Sequence, residues 1–164
     1  MKQLSEAEIR TSIVNAEGAE VERMPVPGLH EVVWDDREYL GWRDPSLATR
    51  GYLVYWRGDQ PVGLVLRAAE SRPQVGAAIC SLCNTQQPAG QVTLFSAAKA
   101  GEAGRAGNSV GTYICADLAC SLLIRVAPPE SISGRTTAEL IAERAAGLSA
   151  RLDAFASRVL ERAA

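Results

Sequence analysis

The chain has 164 residues, 47% of them hydrophobic and 22% charged, with a formal net charge of −2. That length suits one ordinary domain or a small core with an attached element, and no apolar run approaches the roughly 20 residues of a membrane span. The acidic balance argues against a protein that wraps nucleic acid by bulk charge.

Ser5-Glu6-Ala7-Glu8 has the form of a capping box, with Leu4 and Ile9 placed as a hydrophobic staple. The pattern predicts a packing helix from about Glu6 to Glu17, with Ile9, Ile13 and Ala16 on one face and Gly18 ending it. From Glu20 to Gly28, Pro25 and Pro27 impose an extended segment, and His30 to Trp34 reads as a strand or its beginning. His30 is expected to be structural or exposed. Asp35 to Trp42 is predicted as a short helix or turn presenting Tyr39 and Trp42. The clearest hairpin signal follows: Tyr52 to Trp56 and Pro61 to Leu66 flank Arg57-Gly58-Asp59-Gln60, with Tyr52, Val54 and Trp56 on one face.

All four cysteines lie between Cys80 and Cys120, as Cys80-x2-Cys83, thirty-one residues, then Cys115-x4-Cys120. A tetrahedral zinc ion takes four thiolates at about 2.3 Å, and a two-residue gap aims two sulfurs at one point. A redox dithiol would want a helix directly after the first pair, whereas Asn84-Thr85-Gln86-Gln87-Pro88 reads as a turn. Two disulfides would want an oxidising compartment, and Met1 to Glu6 carries no apolar h-region; reduced cysteines make a cytoplasmic location the simplest expectation. Val92 to Phe95 and Val110 to Ile114 are strand candidates, joined by Ala97 to Ser109, which reads as a flexible glycine-rich hairpin loop without a phosphate-binding motif. Asp117 to Arg125 reads as a short helix carrying Leu118, Leu122 and Leu123 inward, stopped by Pro128-Pro129. A cysteine knuckle, a hairpin, then a cysteine pair at a helix start is the plan of a treble clef.

Thr136-Thr137-Ala138-Glu139 forms a second capping box, after which Ile141, Ala145, Leu148, Leu152, Phe155 and Val159 recur at spacings of four and three. The stripe either packs on its own chain or mediates a homodimer. The expected fold is α+β: small antiparallel β-hairpins with a four-cysteine treble-clef zinc finger (80–125), an N-terminal helix and a long C-terminal helix. The expected division is a domain over 1–130 and the helix over 136–164.

Cys80-Ser81-Leu82-Cys83, Gly107 to Cys115 and Cys115-x-Asp117-x-x-Cys120-Ser121, with Gly41-Trp42 and the Tyr52 to Leu66 hairpin, resemble the C-terminal domain of elongation-factor-G-binding proteins, the family of FusB-type fusidic acid resistance proteins. The resemblance spans about residues 1–130. It implies a Zn2+ ion held by Cys80, Cys83, Cys115 and Cys120, and a lobe that grips elongation factor G and helps it leave the ribosome. It further implies partner contacts beside the knuckle and on the strand before the third cysteine, at Ser81, Leu82, Val110 and Tyr113. FusB-type proteins carry a helical bundle before this domain, for which there is no room before Cys80, and the helix from Thr136 reads as an addition.

Three function classes follow. A non-enzymatic translation-factor binder is the favoured reading. An RNA- or ribosome-binding zinc-finger module is the alternative, although Lys99 and Arg105 are the only basic residues between Cys80 and Cys120. An enzyme is disfavoured: the sequence has no HExxH, no nucleophile elbow and no Cys/His pairing, and four cysteine ligands leave zinc no open position.

Overall fold

In a computed structural model the described residues are 1–70, 75–126 and 134–161. Five strands form one antiparallel sheet: β1 (Tyr39–Arg43), β2 (Arg50–Arg57), β3 (Gln60–Ala68), β6 (Val92–Ala98) and β7 (Ser109–Cys115), in that spatial order. A separate two-stranded ribbon, β4 (Ala77–Ile79) with β5 (Gln86–Pro88), carries the cysteine knuckle at its tip. The β2–β3 hairpin forms as its sequence predicts, turning through Gly58 at φ 61°. Alternation along β2 places Tyr52 and Val54 on one face and Leu53 and Tyr55 on the other.

Each face has its own core. On one side α1 (Glu6–Ser12) and its flanks bury Leu4, Ile9 and Met24 against Leu40, Trp42, Tyr52, Val54 and Val65, with a single turn, α2 (Ala19–Glu22), in place of the start of the expected extended segment. On the other side Leu53, Leu64, Leu66, Phe95 and Ile114 pack with the four cysteines and with Leu148, Leu152, Phe155, Ala156 and Val159 of the long helix α5 (Thr137–Leu160). The C-terminal stripe is therefore covered within its own chain, and it shares a core with the cysteine cluster. Ile141 and Ala145, at the start of the stripe, are half-buried. The last residues of the expected helix over 136–164, 162–164, lie outside the described residues.

Both capping boxes form. Ser5 N donates to Glu8 at 2.8 Å and Thr136 N to Glu139 at 2.8 Å. The first helix nonetheless stops at Ser12 rather than Glu17, because the chain leaves it to pair with β3: Ile13 bridges Gly63, and Val14 N donates to Gly63 O at 3.0 Å. Asn15 continues this docking. Strands β3 and β6 pair only at Arg67 with Ser96 and Ala68 with Phe95, and the Asn15 amide sits where they part. It donates to Val65 O and Ala98 O at 2.9 and 3.2 Å and accepts from Val65 N at 2.8 Å.

Other expectations are corrected. His30 to Trp34 is not a strand; two 3-10 turns, Leu29–Glu31 and Trp34–Asp36, close their backbone bonds locally, and His30 is exposed. The helix or turn predicted over Asp35 to Trp42 survives only in the 3-10 turn at its start; from Tyr39 the segment is β1, since pairing of Tyr39 with Tyr55 through Arg43 with Gly51 satisfies its backbone. A four-residue helix, α3 (Glu102–Arg105), occupies the expected flexible loop. The helix predicted over Asp117 to Arg125 shortens to α4 (Cys120–Leu123). Leu118 is buried ahead of it, Leu123 is half-buried, and Leu122 faces solvent at 44% exposure.

Candidate metal centre

Three local structures bring the sulfurs together. The β4–β5 ribbon closes a tight knuckle: Cys80 N donates to Thr85 O at 3.2 Å and Asn84 N to Cys80 O at 2.9 Å. Asn84 takes φ 55°, a conformation asparagine tolerates better than most residues. Cys115 is the last residue of β7, and Cys120 the first of α4. Knuckle, hairpin and helix follow one another as in a treble clef.

The four Sγ atoms lie within 4.8 Å of one another and all four residues are buried. The closest pairs are 3.6 Å for Cys80 with Cys120, 3.6 Å for Cys83 with Cys115, and 3.4 Å for Cys115 with Cys120. Thiolates about 2.3 Å from a tetrahedral ion stand ~3.8 Å apart, so the cage fits a zinc-sized cation and is too open for disulfides. Charge points the same way. The hydrogen bond from Cys115 draws the Cys80 thiol down to about 7 and pulls Cys83 lower still. Cys120 is pushed far up by its bond to Cys115, then by Cys80 and Cys83. At Cys115 the bond with Cys120 pulls downward, but those with Cys80 and Cys83 outweigh it and the thiol is raised. Four sulfurs this close cannot all ionise unless a cation neutralises them.

The surroundings fix the cage. Ser121 Oγ accepts from Glu38 N at 3.0 Å and Tyr39 N at 3.3 Å, and Arg125 grips Glu38 through two bonds of 2.9 and 2.8 Å. Tyr39 Oη accepts from Cys120 N at 3.4 Å; burial, then the nearby Cys120, pushes its phenol far up, so it stays neutral. Between the last two cysteines Leu118 takes φ 60° and wedges into the sheet, where a Cβ at Gly41 would stand 2.6 Å from its carbonyl oxygen and one at Gly51 2.7 Å from its Cδ1. From α5, Arg151 Nε donates to Leu82 O at 2.6 Å. Gln87 Nε2 donates to Cys115 Sγ at 3.1 Å. Sequence reading missed Tyr39 and Gln87, placing Tyr39 on a helix or turn and Gln87 in a turn; only the alternation of Gln86-Gln87-Pro88 as a strand would have turned Gln87 toward the sulfurs.

The four sequence-derived contact candidates divide. Ser81 is exposed and Tyr113 is 52% exposed, and the two are joined by a 2.8 Å bond from Ser81 N to Tyr113 O. Leu82 and Val110 are buried in the core, 1% and 5% exposed, so neither offers a partner its side chain. Leu94, opposite Tyr113 in the register, and Ile79 are exposed beside this face and were not singled out from sequence.

The FBP C-terminal treble-clef zinc-finger model matches residues 8–159, and so takes in nearly all of α5, which the sequence had suggested was an addition. A solved structure of the fusidic acid resistance protein FusC is similar at a TM-score of 0.50 and 20% identity, over 84% of this chain and 51% of that one. The chain thus spans about half the length of that protein, and the likeness speaks for the fold. No curated protein matches. Among the described residues no helix is long and apolar enough to cross a membrane.

Proposed function

Because the chain belongs to the FBP C-terminal treble-clef zinc-finger family, we propose that it is a non-enzymatic zinc protein that binds elongation factor G and aids its release from the ribosome in the cytoplasm. The observation that carries this reading is the joining of the buried four-sulfur cage to an exposed face at Ser81 and Tyr113. Zinc, held by Cys80, Cys83, Cys115 and Cys120, supplies a cross-link between knuckle and hairpin and no reactive position. What the chain's own residues do is present a surface. Tyr113 and Leu94 stand opposite one another on a paired hairpin, so little conformational freedom is lost when a partner covers them. Tyrosine also offers a large amphipathic area of the kind that anchors interfaces.

Calorimetry with purified elongation factor G tests the reading at low and at physiological salt. The expected result is micromolar or tighter binding that Tyr113→Ala weakens by about 1 kcal/mol or more. Absence of heat and of co-elution, together with salt-sensitive binding to ribosomal RNA, would move the protein to the RNA-binding class.

A further inference from the structure

Four thiolates around one divalent cation leave a net negative charge in a buried site, and only donor groups aimed at the sulfurs can offset it. Among the described residues one side-chain N–H hydrogen-bonds a cysteine sulfur: Gln87 Nε2, 3.1 Å from Cys115 Sγ. Its orientation is built into the ribbon. Gln87 pairs with Ala78 in the β4–β5 register, and the alternation of β5 leaves Gln86 and Pro88 exposed while Gln87 is half-buried. Ala89 N, donating to Gly76 O at 2.9 Å, anchors the strand beyond it. Of the two ends of its amide only the nitrogen can face a thiolate, since the carbonyl oxygen would meet it with like charge.

We propose that Gln87 is a positioning residue of the metal site, donating to the Cys115 thiolate so as to lower its charge and hold the metal; this rests on the zinc reading above. The geometry singles out Cys115 among the four. Among the described residues Cys80 receives a long 3.5 Å backbone contact from Cys83 N, the Thr85 hydroxyl beside Cys83 donates to the Cys83 carbonyl at 3.4 Å, and the Tyr39 hydroxyl accepts from the Cys120 backbone N–H. Cys115 is thus the sulfur that a side-chain amide meets directly, and Gln87 and Ala116 line the same solvent-open cleft of about 450 Å³ beside it.

The test uses the full chain loaded with cobalt(II), whose sulfur-to-metal charge-transfer band reports the thiolates, and the zinc-loaded chain titrated with a competing chelator. Gln87→Ala and the shape-preserving Gln87→Met should both shift the band to lower energy and lower metal affinity by about tenfold or more. Gln86→Ala, on the exposed face of the same strand, should match the parent in both readouts. Parent-like band energy and affinity in Gln87→Ala and Gln87→Met would overturn the role of Gln87 while leaving the zinc site standing. A parent chain that gives no cobalt–thiolate band at all would overturn the zinc reading, and this inference with it.

Discussion

Gly41 carries a demand that no other residue type meets, because a side chain there would run into the Leu118 carbonyl at 2.6 Å. Gly41→Ala must push apart the edge strand and the loop between the last two cysteines, and should lower stability by about 1–3 kcal/mol in chemical denaturation. Gly111→Ala is the contrast: its nearest neighbour would be Leu94 Cδ1 at 3.4 Å, and it should fall within about 0.5 kcal/mol of the parent. Cys120 is the residue to test for the cage itself. Elemental analysis should find one zinc per chain, and Cys120→Ser should lose it; full occupancy in that variant would remove Cys120 from the ligand set. At this scale the cysteines were legible because ligand spacing is local in sequence. Gln87 and Tyr39 were not, since each meets its cysteine through the fold, Gln87 at the Cys115 sulfur and Tyr39 at the Cys120 backbone N–H, 81 positions away.

Helix α5 is held by a buried stripe and by polar clasps at intervals along its length. Tyr55 Oη donates to Asp153 at 3.1 Å, Arg57 reaches Asp153 at 3.0 Å and Ser157 at 2.7 Å, and Arg151 seizes the knuckle carbonyl. Leu152, with no exposed surface, is the centre of this packing. Leu152→Ala should cost about 2–5 kcal/mol, measured by urea unfolding. Light scattering across concentrations should find a monomer; a persistent dimer that Leu152→Asp turns into a folded monomer would show that the stripe serves association. Capping boxes, the β2–β3 hairpin and the stripe of α5 were readable because each is written in a short stretch. Strand β1 was not, because its extended form comes from Tyr55 and its neighbours across the pairing, and α1 was overextended because Gly63, fifty residues on, draws Ile13 out of the helix.

Across the whole molecule the cysteine cage and α5 lie in one continuous core, so metal and helix should be thermodynamically inseparable. Chelation withdraws roughly 10–16 kcal/mol of apparent binding free energy, as much as the entire stability of a typical domain. Metal-free protein should therefore lose not only the hairpin signals in NMR but also the protection of α5 amides from hydrogen exchange. The treble-clef order was legible from the cysteines and strand candidates alone. The coverage of both faces of the sheet was not, since it depends on where distant apolar stripes meet.

The placement of Asn15 has a bearing on how the chain comes to be folded during synthesis. Its amide joins strands β3 and β6, and the Ala98 carbonyl it serves is made 83 residues later. At about 5–20 residues per second that interval is roughly 4–17 s, during which Leu40, Trp42, Tyr52, Val54 and Val65, the partners of Leu4 and Ile9, are all made while the β3–β6 seam is unfinished. Helix α1 can thus settle on β1–β3 before the rest of the sheet exists, and a nascent chain halted just before Ala98 should already protect Leu4 and Ile9 from protease while lacking the bond from Asn15 to Ala98.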